Sequence, residues 1–207
     1  MSSEDASNFD KLAAEHGWHG HEVLFGMMYE FIKPGETLLD IGIGTGLGSF
    51  LFHQAGLEIH GFDRSRERLE MCGSKGFAAH LIEHDLRQVP FPYPDNFFNH
   101  VISLAVLNFF PDLAPVFEEA ARIIRPHGVF GFTVEEQKPG KEAKYLIHAN
   151  EKKAITMCRH SNAHIRGLLT KNEFTLLKDF EFLADRYPAE GMDIYFKAYV
   201  AQMTECT

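Results

Sequence analysis

The stretch Leu38 to Phe50, LLDIGIGTGLGSF, constrains the fold of this chain more than any other. An apolar run, TLLDIG, leads into glycine at every second position from Gly42 to Gly48, and apolar residues follow. This is the pattern of a short buried strand, a tight loop and a helix, which we expect over Gly46 to Gln54. In open α/β proteins such loops stand at the carboxyl end of the sheet, where ligands bind. Gly42, Gly44 and Gly46 let the backbone turn sharply and keep side chains away from a nucleotide. The helix would add unpaired N–H groups and the positive end of its dipole.

Further strands and helices alternate on either side of the loop. Leu24, Met27, Met28 and Phe31 form an apolar stripe at helical spacing, ended by Pro34 and Gly35. Phe9, Leu12 and Ala13 share the face of an earlier helix. Strands are expected at LEIHGFD, FAAHLIEHD, FFNHVISL and VFGFTVEE. Ser65 is placed to cap one intervening helix, and another is expected from Asp112 to Arg125, ended by Pro126 and Gly128. Alternation of this kind implies an α/β fold with a doubly wound, mainly parallel sheet covered by helices on both faces. FTLLKDFEFL and MDIYFKAYVA read as a closing antiparallel pair. The chain is thus read as one domain: N-terminal helices over 1–34, a cofactor-binding core over 35–136, a basic helical insertion over 137–171 and antiparallel strands over 172–207.

Composition narrows the class. A chain of 207 residues can bury one sizeable core. No apolar run reaches the roughly 18 residues of a membrane-crossing helix. The polar, acidic start lacks the layout of a secretory signal, and three well-separated cysteines suggest a reducing compartment, so a cytoplasmic location is expected. The net charge of -9 disfavours nucleic acid as a partner. Residues 137–171, however, hold eight basic and two acidic side chains, or +6, leaving -15 elsewhere. That segment is either a solvated face or a patch for an anionic substrate.

The ligand is read from three acids. Asp40 precedes the first glycine by two residues, where a carboxylate would repel a pyrophosphate but suit an ammonium and a sulfonium. Asp63 ends the second strand, where it can accept both ribose hydroxyls. Asp85 ends the third, where it can accept from an adenine amino group, with the backbone of Leu86 beside the ring. The spacing also departs from GxGxxG: counted from Gly42, the third glycine comes one residue early.

These motifs, from about Gly35 to Glu135, resemble those of the class I S-adenosylmethionine-dependent methyltransferases, in the small-molecule branch called type 11 or UbiE-like. LLDIGIGTG resembles the first motif of that family, GFDRS its ribose-binding segment, HDLRQVPFPYPDNFFNHVIS the stretch into strand four, and ARIIRPHGVF the turn before strand five. The resemblance implies S-adenosylmethionine as cofactor, contacts from Ile43, Arg64 and Ser103 besides the residues above, and sheet order 3-2-1-4-5-7-6 with strand seven antiparallel. Ile43 stands where cysteine is common. Asn99 replaces a usual aspartate, which would loosen a structural hydrogen bond.

Methyl transfer needs mainly alignment and exclusion of water, with a general base only for a protonated nucleophile. Substrate-side residues are therefore harder to read. Trp18 is expected as an apolar lid over the cofactor, with His19 or His21 near the substrate. His16, His19 and His21 lack the spacing of a metal site, and no metal is expected there. Asn108 follows strand four and Glu135 ends strand five, and both are candidate substrate contacts. His160, before a helix capped by Ser161, is the candidate base or substrate ligand. The expected activity is methylation of a small molecule. RNA or protein as substrate, a non-catalytic S-adenosylmethionine-binding subunit, and a nicotinamide dehydrogenase are the alternatives, the last opposed by Asp40 and the glycine spacing.

Overall fold

The computed structural model describes residues 17–150, 153–187 and 192–204. The helix expected around Phe9 to Ala13 and His16 lie outside them. Among the described residues, nine strands are interleaved with helices in the order α1 (Gly20–Met28), β1 (Thr37–Ile41), α2 (Phe50–Gln54), β2 (Glu58–Asp63), α3 (Arg66–Ser74), β3 (Ala78–Glu83), β4 (Phe98–Ser103), α4 (Ala114–Ile123) and β5 (Ile124–Glu136). Then come β6 (Lys144–Asn150), β7 (Lys153–His160), α5 (Asn162–Lys171), β8 (Phe174–Tyr187) and β9 (Met192–Met203). Short 3-10 turns follow α1 at Tyr29–Phe31 and β4 at Leu107–Phe109.

Strands β3, β2, β1, β4 and β5 lie side by side and parallel. On the far flank of β5, β9 runs antiparallel to it and to β8. The main sheet is therefore β3-β2-β1-β4-β5-β9-β8. This is the expected order, with β8 and β9 as strands six and seven. Its strands alternate between two apolar layers, because successive side chains point to opposite faces. Leu39, Ile41, Phe62, Phe130 and Phe132 pack with Val116, Phe117 and Ala120 of α4 and with Ile165 and Leu169 of α5. Leu38, Ile59, Ile102 and Val129 pack on the other face with Leu24 and Met28 of α1, Phe52 of α2 and Leu69 and Cys72 of α3.

Three expectations need correction. The described residues of 137–160 are not helical: β6 and β7 form an antiparallel hairpin, and β7 attaches in parallel to the last two residues of β5. Glu135 already pairs with Phe196 of β9, so β7 must join on the β4 side, beyond the end of that strand. Lysine, glutamate and alanine favour a helix, but Ile155, Thr156 and Tyr145 favour a strand, and the exposed edge of β5 offers one. Helix α5 then follows, capped by the Ser161 hydroxyl, which accepts from the His164 N–H. The second correction is α2, which begins at Phe50 rather than Gly46. Gly46 and Gly48 each cost a helix about 1 kcal/mol relative to alanine, and turns occupy those positions instead. The third is Pro126 and Gly128. They do not follow a helix ending at Arg125 but sit within β5, at the register shift where Phe98 pairs with Ile124 and His100 with Val129.

Asn99 holds its place without an aspartate. Its Oδ1 accepts from the Thr37 N–H and hydroxyl, both at 3.0 Å, tying the start of β4 to that of β1. The proline-rich loop before β4 is fixed from α4: Glu119 accepts from the Phe91 N–H, and Arg122 donates to the carbonyls of Phe91 and Tyr93.

Candidate active site

The glycine loop leaves β1 and turns back over the end of β2. The N–H groups of Gly42 and Ile43 both donate to the Phe62 carbonyl, at 2.9 and 3.0 Å. Ile43 then lies against Gly61, where a Cβ would come within 2.4 Å of it. Gly42, Gly44 and Gly46 have φ of 75°, 54° and 86°. Their surroundings differ. A Cβ at Gly42 would strike Val106 at 2.7 Å, and one at Gly46 would strike Phe77 at 2.5 Å. At Gly44 nothing lies nearer than 3.9 Å. Gly42 and Gly46 are thus packed by protein, while Gly44 opens a cradle that a side chain would fill.

Two of the three acids flank this cradle. Asp40, at 2 % exposure, is enclosed beneath the loop. Burial pushes its carboxyl up to about 7, with the Ser49 hydroxyl opposing and the Asp63 charge adding to the rise. Asp63 ends β2 at 8 % exposure. Its Oδ2 accepts from the Gly44 N–H at 3.1 Å and its Oδ1 from the Ser65 N–H at 2.8 Å, so the carboxylate braces loop and helix start together. A carboxylate can accept about four hydrogen bonds, so each oxygen keeps capacity for a further donor. Ser65 caps α3 as expected: its hydroxyl accepts from the Arg68 N–H.

Asp85 lies at the rim after β3, and the side chain and N–H of Arg87 hold it. Those contacts draw its carboxyl down to about 2. Adenine would therefore share Asp85 with Arg87, a partner that the sequence did not disclose. Leu86 is buried, Arg64 is exposed, and the Ser103 hydroxyl donates to the Ile41 carbonyl at 3.2 Å, bracing the root of the loop. Because α2 has only five residues, the helix-dipole contribution expected from Gly46 onward falls away. Polarity at the loop comes from carboxylates, an acceptor set that fits a cationic nucleoside and opposes a diphosphate.

The substrate-side candidates divide. Trp18, expected as a lid over the cofactor, packs on the C-terminal strands. Its ring packs edge-on to Phe196 of β9 at 5.5 Å and 6.1 Å from Phe182 of β8, folded back over Gly20. His19 is exposed and bonded to Glu22 at 2.6 Å, and His21 is half-buried at the start of α1. Asn108, Glu135 and His160, in contrast, are all buried, at 2–4 % exposure. β7 brings them together with residues the sequence reading missed. Glu135 accepts from Tyr145 at 2.5 Å and from Arg159 at 2.7 Å, and the Arg159 guanidinium lies 3.8 Å over the Tyr145 ring. Asn108 Nδ2 meets Met157 Sδ at 3.9 Å, while its Oδ1 has no partner.

His160 closes β7. Burial lowers its basicity, although the carbonyls of Leu107 and Phe110 pull the other way. Its Nε2 is buried without a partner, so those carbonyls face Nδ1. A proton held on Nδ1 leaves a lone pair on Nε2.

Comparison with known proteins agrees with this geometry. A family model described as "Methyltransferase domain" matches residues 39–132. A malonyl-[acyl-carrier protein] O-methyltransferase of Serratia marcescens is 33% identical over 131 residues, 63% of this chain and 49% of that protein. A 27-O-demethylrifamycin SV methyltransferase of Amycolatopsis mediterranei is 29% identical over 102 residues, 47% of this chain and 38% of that one. The chain thus spans half or less of the length of these relatives. Among solved structures, the putative methyltransferase bound to the Trm112 activator of Haloferax volcanii has TM-score 0.77 at 19% identity, covering 97% of this chain and 95% of that chain. The magnesium protoporphyrin IX methyltransferase of Synechocystis, solved with S-adenosylmethionine, has TM-score 0.64 at 19% identity, covering 88% and 77%. Over residues 39–132 the chain is similar to class I S-adenosylmethionine-dependent methyltransferases, and its loop, acids and strand order fit S-adenosylmethionine as the cofactor.

Proposed function

We propose that this chain methylates a small molecule, with Asp40, Asp63 and the Gly42–Gly46 loop holding the cofactor and His160 and Asn108 meeting the acceptor. The observation that carries this reading is the pair of partnerless buried atoms, His160 Nε2 and Asn108 Oδ1, on two segments that pack together. A buried polar atom without a partner costs about 1–3 kcal/mol, which a ligand's polar group would recover.

When bound, S-adenosylmethionine supplies a methyl carbon on a sulfonium leaving group. Asp40 and Asp63 favour its positive charge, and Gly44 leaves room for it. His160, neutral at pH 7 through burial, accepts a proton at Nε2 from an acceptor hydroxyl or amine. Asn108 Oδ1 accepts a second donor and orients the acceptor. Glu135 is committed to Tyr145 and Arg159, so its part is to hold β7, and therefore His160, against β5.

The fate of the basic segment favours a small acceptor over RNA. Lys138 pairs with Glu136 and Glu181, Arg159 with Glu135, Arg166 with Asp179 and Lys171 with Glu118. Half of the eight cations are thus neutralised by acids outside the segment. The test is release of S-adenosylhomocysteine during a screen of hydroxyl, carboxyl and amine acceptors, with His160→Ala in parallel. A substrate turned over by the wild type and not by the variant supports the reading. Turnover with RNA alone, or with no acceptor while cofactor still binds, rejects it.

A further inference from the structure

A second cluster of metal-ligating side chains stands away from the glycine loop, toward the amino ends of β2 and β3. Glu58 and His60 are two apart on β2 and share a sheet face, and His80 of β3 is the parallel register partner of His60. One ligand atom from each of the three lies within 4.8 Å of the other two. Among the described residues this is the one group of three or more such side chains so placed.

His60 gives the cluster its shape. Its ring is wedged among Phe97, Phe98 and Tyr93, with centroids 5.2–6.4 Å away, and the residue is only 4 % exposed. An aliphatic side chain would suit that apolar position. The imidazole instead brings Nε2 out to Glu58 Oε1 at 2.8 Å, with the His80 ring centroid 4.6 Å from its own. Glu58 and His80 are exposed, so an ion and its waters have access. Around a tetrahedral ion with bonds of about 2.05 Å, ligand atoms sit roughly 3.3 Å apart. Small rotations of Glu58 and His80 close the remaining gap.

We propose that Glu58, His60 and His80 form a binding site for a late first-row divalent cation, Zn2+ in the first instance. Two imidazoles and one carboxylate suit such ions and do not suit Mg2+ or Ca2+, which take oxygen ligands. Binding replaces the His60–Glu58 hydrogen bond with metal bonds, and water completes the coordination. The ion clamps edge strand β3 to β2, the strand that carries Asp63 at its other end. The site is thus a structural staple, separate from the methyl-transfer machinery.

The test uses the full-length protein, stripped with a chelator and titrated calorimetrically with ZnCl2. His80→Ala and Glu58→Gln change exposed side chains and leave the core alone, and circular dichroism confirms their fold. His19→Ala and His21→Ala control for the N-terminal histidines. The expected result is one saturable site, weakened at least about tenfold in His80→Ala and in Glu58→Gln but not in the controls, with a zinc-dependent rise in melting temperature lost in the same two variants. Co2+ should give the visible absorption of a site with nitrogen ligands, lost in His80→Ala. Absence of saturable binding, or binding unchanged in both site variants, overturns the proposal.

Discussion

The carboxyl of Asp40 gives a direct way to separate stability from binding. It is fully enclosed, and burial raises it from 3.8 to about 7. An acid whose basicity is higher folded than unfolded takes up protons on folding, so its contribution to stability falls as pH rises between those two values. At about 1.4 kcal/mol per unit, ionisation of this carboxyl disfavours the folded state by about 4 kcal/mol at pH 8 and by roughly 1–2 kcal/mol at pH 5. Asp40→Asn preserves shape and removes the charge. Its stability advantage over the wild type should therefore grow by roughly 3 kcal/mol between pH 5 and pH 8. Urea unfolding of both proteins at each pH measures this, and subtracting the two curves cancels the buried histidines, which titrate in both. The same variant should lose affinity for S-adenosylmethionine, because the charge that destabilises the free protein is the one that attracts a cation. An advantage independent of pH, or a variant that binds the cofactor as the wild type does, would refute the reasoning.

Other perturbations probe separate parts of the account. Cofactor binding to the wild type should tighten from pH 6 to pH 7.5 as Asp40 ionises, a slope that calorimetry should find missing in Asp40→Asn. Gly46→Ala places a methyl group against Phe77 and Cys72 at a φ of 86° and should destabilise by about 1–3 kcal/mol or more in urea titrations, whereas Gly44→Ala should weaken cofactor binding more than it affects folding. Arg159→Met strands Glu135, itself 4 % exposed, and should cost about 3–5 kcal/mol by the same assay. Because burial lowers the basicity of His160 below the ordinary 6.5, kcat at saturating S-adenosylmethionine should hold steady from that pH upward and fall in acid, and any residual turnover of His160→Asn should lack the acid limb.

The sequence carried the cofactor half because strand ends have local signatures. The acids at 40 and 63 and the glycines between them are close along the chain, and period and spacing place them. The substrate half was less legible because long-range contacts assemble it. Glu135 could be picked out, but its partners Tyr145 and Arg159 become visible only once 144–160 is known to be a hairpin on β5. There, helix-favouring lysines and glutamate obscured a weaker strand signal. Trp18 shows the same limit. Its aromatic neighbours lie more than 160 residues further on, so its sequence neighbourhood suggested a loop lid. Asp85, expected to end the third strand, lies two residues past β3, and the competing Arg87 two residues further on was overlooked.

The central claim is that the rim of β1 and β2 holds a cationic adenosine derivative between Asp40 and Asp63. Isothermal titration of the wild type and Asp63→Ala with S-adenosylmethionine, with NADH as the contrast, tests it most directly. The account predicts one-to-one binding of S-adenosylmethionine to the wild type, at least about tenfold weaker in the variant, and no binding of NADH. Binding of NADH, or equal affinity for S-adenosylmethionine in both proteins, would contradict it.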